Sequence, residues 1–251
     1  MLIGAGDDGC IRRWDARDGD PIGKPLQGHK RSVLALAFAV LDGRPVIFSG
    51  GDDRTLRRWD ARTGESIQVV TKAHSGSVTA LTCGVIGDHP VLISGGHDRM
   101  VCLRDARTCG LLGQTSKRRT ARVTSLALGL VGGVPVVVSG GRDKMIYLTD
   151  PITGNAVGQS LAGHTEGVTS VALVVLDERV VVVSGSLDGT IRLWDAQTAA
   201  LILLVDVGMP IEALAVHLGS GVAVATVRGV LFLDIDMLAA PSVRGAVARH
   251  S

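Results

Sequence analysis

A spacing of 45 residues runs through this chain and limits what it can become. Trp14-Asp15, Trp59-Asp60, Arg104-Asp105, Thr149-Asp150 and Trp194-Asp195 each stand 45 residues after the last. Three further columns keep the same step: Asp8, Asp53, Asp98, Asp143 and Asp188; Ser49, Ser94, Ser139 and Ser184; His29, His74, Arg119 and His164. Columns locked to one such period exclude a single wound core, because each repeat must then be one unit that buries its apolar face against its neighbours.

One unit read alone shows what is being repeated. In the second copy, "VLALAFAV" (33–40), "RPVIFSG" (44–50), "TLRRWDA" (55–61) and "SIQVVTK" (66–72) are four β-rich runs, separated by "LDG", "GDDR" and "RTG". Such Asp/Gly punctuation belongs to tight turns. No segment keeps a 3.6-residue apolar period over helix length. Each unit is therefore expected to be a four-stranded antiparallel sheet. Its first strand begins small then bulky: Ala35, Ala80, Ser125, Ser170 and Ala213 precede Leu36, Leu81, Leu126, Val171 and Leu214. Small residues suit strands that converge on a common axis, which predicts radial repetition.

Composition removes several function classes. A net charge of +2 gives no electrostatic argument for nucleic acid, and the loops lack stacking aromatics. No apolar run reaches about 18 residues, so no membrane span is expected. Cys10, Cys83, Cys102 and Cys109 form no CxxC pair. They read as reduced packing residues, and with no signal-like start the expected location is cytoplasmic.

Gly28-His29, Gly163-His164, the Ser-Gly runs, the turn Asp and the Trp-Asp dipeptide stand in order and in phase over residues 1 to about 236. Together they resemble the WD-repeat (WD-40) β-propeller family. The regularity of "GRPVIFSGGDDRTLRRWDARTGE" is similar to that of propellers common in actinobacteria, which often follow signalling or nucleotide-switch domains. The resemblance implies an all-β chain, a β-propeller of four-stranded antiparallel blades. Its units fall at about 1–27, 28–72, 73–117, 118–162, 163–207 and 208–236, with a poorly ordered tail at 237–251.

It also implies one hydrogen-bond chain per blade. The second unit supplies His29, Ser49, Asp53 and Trp59; the fifth supplies His164, Ser184 or Ser186, Asp188 and Trp194. The third keeps His74, Ser94 and Asp98 but has Arg104 for Trp. The fourth keeps Ser139 and Asp143, with Arg119 for His and Thr149 for Trp, so an Arg119–Asp143 pair is the expected substitute. Lower local stability is expected in these two units, and fraying in the last, which has Met209 near the His column and ends "GVLFLDID" without Trp. An Asp-His-Ser set that recurs in several units, with no nucleophile elbow, is structural rather than catalytic. The "SGG" runs end a strand and enter a tight turn, with no following helix and no Gly-Lys-Ser/Thr, so they read as turn chemistry, not phosphate loops.

Family members act mostly as rigid platforms. The resemblance thus implies a non-catalytic protein–protein interaction platform, a scaffold or sensor module within a larger signalling protein, with no cofactor and no metal. On the candidate rim, Asp7 and Asp52 form an acidic sector. His97, Arg99, Lys117, Arg118, Arg119, Arg122, Arg142 and Lys144 form a basic one, suited to an acidic or phosphorylated protein or peptide. Two alternatives stay open: a propeller enzyme acting at the central channel, where Glu212 is the lone carboxylate, and a degenerate fragment without independent function. Arg13 and Arg58 occupy a column that holds Leu103, Leu148 and Leu193 elsewhere, and are expected to snorkel along the neighbouring blade.

The ends leave two closures. Residues 21–27 could complete the last sheet, leaving five blades with 1–16 over. The favoured alternative is six units of an incomplete set, the first lacking its inner strand and the last its outer one. On that reading "MLIGAGDDGC" begins inside a unit, as a piece of a longer protein would.

Overall fold

A computed structural model describes residues 1–115, 120–176, 178–217 and 221–233. Strands β1 (Leu2–Ala5) and β2 (Ile11–Trp14) pair as a two-stranded sheet. Four four-stranded antiparallel sheets follow. The second unit has β3 (Val33–Leu41), β4 (Arg44–Gly51), β5 (Leu56–Asp60) and β6 (Ser66–Val70); the third has β7 (Val78–Ile86), β8 (His89–Gly96), β9 (Val101–Asp105) and β10 (Leu111–Gln114). The fourth has β11 (Val123–Val131), β12 (Val134–Gly141), β13 (Met145–Thr149) and β14 (Leu161–Ala162); the fifth has β15 (Val168–Leu176), β16 (Arg179–Ser186), β17 (Thr190–Asp195) and β18 (Leu201–Asp206). A three-stranded sheet of β19 (Ile211–His217), β20 (Gly221–Thr226) and β21 (Gly229–Leu233) ends the described residues, which hold no helix. The chain is all-β, and its sheets are the blades of a β-propeller.

Six repeat units do not make six equal blades. Residues 21–27, expected as a strand, meet β2 only at the isolated bridges Trp14↔Pro21 and Ile11↔Leu26. Pro25 has no N–H to give a ladder, and Gly23 sits at a φ of 65°, so the segment leaves β2 between the bridges. The fourth unit's outer segment, "PITGNAVGQSLA", keeps only the two residues of β14 plus one bridge, Thr149↔Ala156. The sixth unit has no fourth strand among the described residues, although "GVLFL", expected to fray, is a strand paired with β20. The proposed tail at 237–251 lies outside the described residues.

Contacts divide the chain into two units, Met1–Val123 with Pro151–Gly154, and Thr124–Asp150 with Asn155–Ser251. In the four-stranded blades of each, the second strand (β4, β8, β12 and β16) is buried on both faces, which explains its unbroken apolar run. In the first unit Ile47 points to a cluster with Ile11, Leu26 and Trp59, whereas Val46 and Phe48 point the other way, to Val78, Leu92 and Ala106. Alternation along one strand thus feeds two interfaces. The second unit repeats this: Val182 packs with Val136, Val138 and Trp194, while Val181 and Val183 pack with Ile211, Val222 and Val224. The "SGG" runs end the second strands and lead into the turns, β4 closing at Gly51, β8 at Gly96 and β12 at Gly141. Gly50 lies inside β4, and a Cβ there would collide with the Val78 side chain of the next blade.

Candidate functional site

The second, third and fifth blades each place a loop histidine, a second-strand serine, a turn aspartate and a third-strand residue at one end of the sheet. In the second blade Ser49 pairs across to Arg57, and Ile47 to Trp59. That register sets the indole beside the serine. Trp59 Nε1 donates to Ser49 Oγ (2.8 Å), which lies 2.8 Å from His29 Nε2, and His29 Nδ1 lies 3.0 and 3.1 Å from the Asp53 oxygens. An indole N–H can only donate and an ionised carboxylate only accept. The protons therefore run one way: indole to serine, serine hydroxyl to imidazole, imidazole to carboxylate. Asp53 also accepts from the Lys30 amide (2.9 Å) and from the Thr55 amide and hydroxyl (3.1 and 2.7 Å). Each neutral bond is worth on the order of 1 kcal/mol net, and those to the carboxylate about 1.5–3.

The same chain stands in the fifth blade. Trp194 Nε1 donates to Ser184 (2.9 Å), His164 Nε2 meets Ser184 (2.8 Å) and His164 Nδ1 meets Asp188 (2.9 Å). Ser184, not Ser186, is the member. The Ser186 hydroxyl instead donates to the carbonyls of Glu166 and Gly167, both at 3.0 Å, because it sits two residues on, where the strand enters the turn.

Titration follows from these environments. Burial works to raise Asp53 and Asp98, but the donors around them prevail and hold both at about 2. Asp188 is lowered in the same way by Thr190, Thr165 and His164 against burial. Burial dominates at His29 and His164 and lowers both, with Arg57 and Arg192 adding to it against the pull of the aspartates. At His74 burial is outweighed by Asp98 and Cys102, and the ring rises to about 9.

The third and fourth blades rebuild the set with other side chains. His74 still meets Ser94 (2.9 Å) and Asp98 (3.0 Å). Arg104, in the Trp position, donates to the carbonyls of Ala73 (3.1 Å) and Cys109 (3.2 Å). In the fourth blade Tyr147 Oη donates to Asp143 (3.0 Å), and Ser139 Oγ donates to the Tyr147 carbonyl (3.4 Å). Tyr147 is thus a partner of Asp143 that sequence reasoning missed; the expected Arg119 lies outside the described residues. In the first blade Asp8 takes Arg12 (2.5 Å) and the Cys10 amide (3.0 Å).

Two columns two residues apart change together: Arg57 with Trp59, Cys102 with Arg104, Tyr147 with Thr149, Arg192 with Trp194. Residues at i and i+2 of a strand share a face. Arg57 lies over the Trp59 ring at 5.7 Å, and Arg192 over Trp194 at 5.8 Å. This stack explains the glycine before the histidine. A Cβ on Gly28 would stand 2.5 Å from Arg57 Nη1 and 3.0 Å from Trp59 Cη2, and one on Gly163 would stand 3.0 Å from Trp194 Cη2. Where Arg104 replaces Trp, the position holds Ala73.

Arg13 and Arg58 do not merely snorkel. Arg13 Nη1 donates to the carbonyls of Ala61 and Arg62 (both 3.0 Å), and Arg58 Nη1 to those of Ala106 (3.1 Å) and Arg107. Each arginine ties its blade to the turn of the next, a bond invisible in a side-chain pattern because the acceptor is backbone. An unforeseen threonine column acts likewise on the innermost strands. Thr79 donates to Val123 O (2.6 Å), Thr124 to Val168 O (2.5 Å) and Thr169 to Ile211 O (2.7 Å).

The rim residues divide into engaged and exposed. Asp52 accepts from Ser77 (2.5 Å) and Arg31 (3.2 Å), and Lys144 donates to Thr165 O (2.5 Å) and meets Glu166 (3.4 Å). Asp7, His97, Arg99 and Arg142 are exposed, and Arg122 is half-buried. Lys117, Arg118 and Arg119 lie outside the described residues. Among the described residues no three His, Cys, Asp or Glu gather as a metal would require, and no helix is long and apolar enough to cross a membrane.

The family model "WD domain, G-beta repeat" matches residues 19–60, 64–105 and 156–195. The stretch it skips holds Arg119 and Thr149, where the fourth unit has neither His nor Trp. No curated protein matches the chain. With the repeat matched three times in phase, and with its His–Ser–Asp–Trp chains formed in the second and fifth blades, the chain belongs to the WD-repeat family.

Proposed function

We propose that the chain is a non-catalytic, cytoplasmic interaction platform whose basic rim takes an acidic or phosphorylated segment of a partner protein. WD-repeat propellers are typically non-enzymatic and generally bind proteins or peptides. The observation that carries the reading is how the titratable groups are used. Ser49, Ser94 and Ser184 are fully buried, and those of the complete sets accept an indole N–H, so none offers a nucleophile to solvent. Arg99 and Arg142 are instead exposed, each on the turn of its own blade, and neither enters an ion pair among the described residues. Exposed guanidinium groups make strong paired bonds to carboxylate and phosphate.

The test is quantitative affinity capture with cross-linking. Arg99→Glu combined with Arg142→Glu is expected to lose the partner that the native chain retains, and cross-links should map to the turns bearing those residues. Unchanged capture by the double variant would remove the basic rim from the proposal.

A further inference from the structure

A cavity of about 500 Å³ lies between residues 22–27 of the first blade and residues 62–66 of the second. Its place follows from the fold. Between its two bridges to β2 the first blade's outer segment leaves the ladder, whereas the second blade's outer segment is the regular strand β6. One unit further on, Cys109 stands where Gly64 stands here, and its side chain is buried.

Arg13, Lys24 and Arg62 line this cavity, and no carboxylate is among its lining residues. Arg13 is only 4% exposed. Its Nη1 is committed to the Ala61 and Arg62 carbonyls, while its Nε is buried without a hydrogen-bond partner. Its Nη2 would stand 2.7 Å from a Cβ on Gly64, so that glycine gives the guanidinium its slot. A buried guanidinium with donors left over is costly until an acceptor reaches it. Lys24 and Arg62 are exposed at the mouth. Ile22, Leu26 and Trp59 supply an apolar wall.

We propose that this cavity binds a small phosphate monoester. The dianionic head sits among Arg13, Lys24 and Arg62, and the organic part lies against Ile22, Leu26 and Trp59. Three cations with no opposing carboxylate suit a dianion better than a single carboxylate, and the guanidinium fork matches phosphate oxygens. A volume in the range of small-molecule sites leaves room for an organic group as well as the head. The Thr63 hydroxyl is turned to Glu65 (3.3 Å), so Ser66 and Gln27 are the neutral polar groups on hand.

Calorimetric titration of the full chain with phenyl phosphate, inorganic phosphate and phenol, at constant ionic strength, tests this. One phenyl phosphate should bind per chain, more tightly than inorganic phosphate, and phenol should not bind. Lys24→Ala and Arg62→Ala, both at exposed positions, should each weaken phenyl phosphate roughly tenfold and leave cooperative melting unchanged. Arg99→Glu with Arg142→Glu should leave this binding intact, which separates the site from the basic rim. Phenol binding as well as phenyl phosphate, or undiminished affinity in both Lys24→Ala and Arg62→Ala, would overturn the assignment.

Discussion

The second and third blades hold the same His–Ser–Asp triple with distances alike to 0.1 Å, 2.8 against 2.9 Å and 3.0 against 3.0 Å, yet close it differently. In the second, an indole donates to the serine under a stacked arginine. In the third, Arg104 has left the serine and holds the backbone of Ala73 and Cys109 instead. What the blade needs at this position is therefore a buried side chain that satisfies a polar neighbour, and an indole and a guanidinium both do so. The glycine before the histidine belongs to the indole's solution and not to the blade.

The largest effect expected from this contrast is at the closing residue itself. Trp59→Ala should cost about 3–5 kcal/mol through lost burial and cavity, while Arg104→Ala should cost about 1–3 through two carbonyls left unpaired. Denaturant melts of each variant check it, and equal losses would mean the two residues do the same job. Next comes the turn aspartate. Asp53→Ala strips acceptors from His29, Lys30 and Thr55 and should cost about 3 kcal/mol, read by the same melts.

A smaller effect sharpens the point about glycine. Gly28→Ala should destabilise by about 1–3 kcal/mol by crowding Arg57 and Trp59. In a chain already carrying Arg57→Cys and Trp59→Arg, the third blade's pair, most of that penalty should vanish. A double-mutant cycle reads the coupling, and strict additivity would break the explanation.

The same comparison can be read in pH. His29 and His164 titrate below the ordinary 6.5 in the folded chain, so stability falls as pH drops beneath 6.5. His74 titrates above it, at about 9, so its contribution is full below 6.5 and is lost as pH rises toward 9. NMR titration of the three imidazoles should give one ring moving opposite to the other two. Asp53 and Asp98, held at about 2 against an ordinary 3.8, stabilise above 3.8, and that gain is lost as pH falls through 2.

His29, Ser49, Asp53 and Trp59 were legible because each keeps its identity, or nearly so, at the 45-residue step. Tyr147 was not, since its column reads Arg, Arg, Cys, Tyr, Arg and has meaning only alongside the column two residues on, across one face of a strand. The role of Arg13 was hidden for a different reason: carbonyls accept its bonds, and a carbonyl leaves no mark in a sequence. Gly50 was placed in its strand, but not its reason: a glycine that makes room for Val78 looks the same as any other glycine at a strand end.

The threonine column and the two arginines share that one-sidedness, and it bears on how such a chain can grow. In each case one blade supplies a side chain and the next supplies only main chain, which every unit possesses whatever its sequence. A copied unit can consequently be set behind any other and find its partner already waiting. Loss on the donating side, as where Leu34 stands in the threonine column or Leu103 in the arginine column, strands no charge and obliges no matching change in the neighbour. The joints of the array tolerate duplication first and divergence afterwards, one blade at a time.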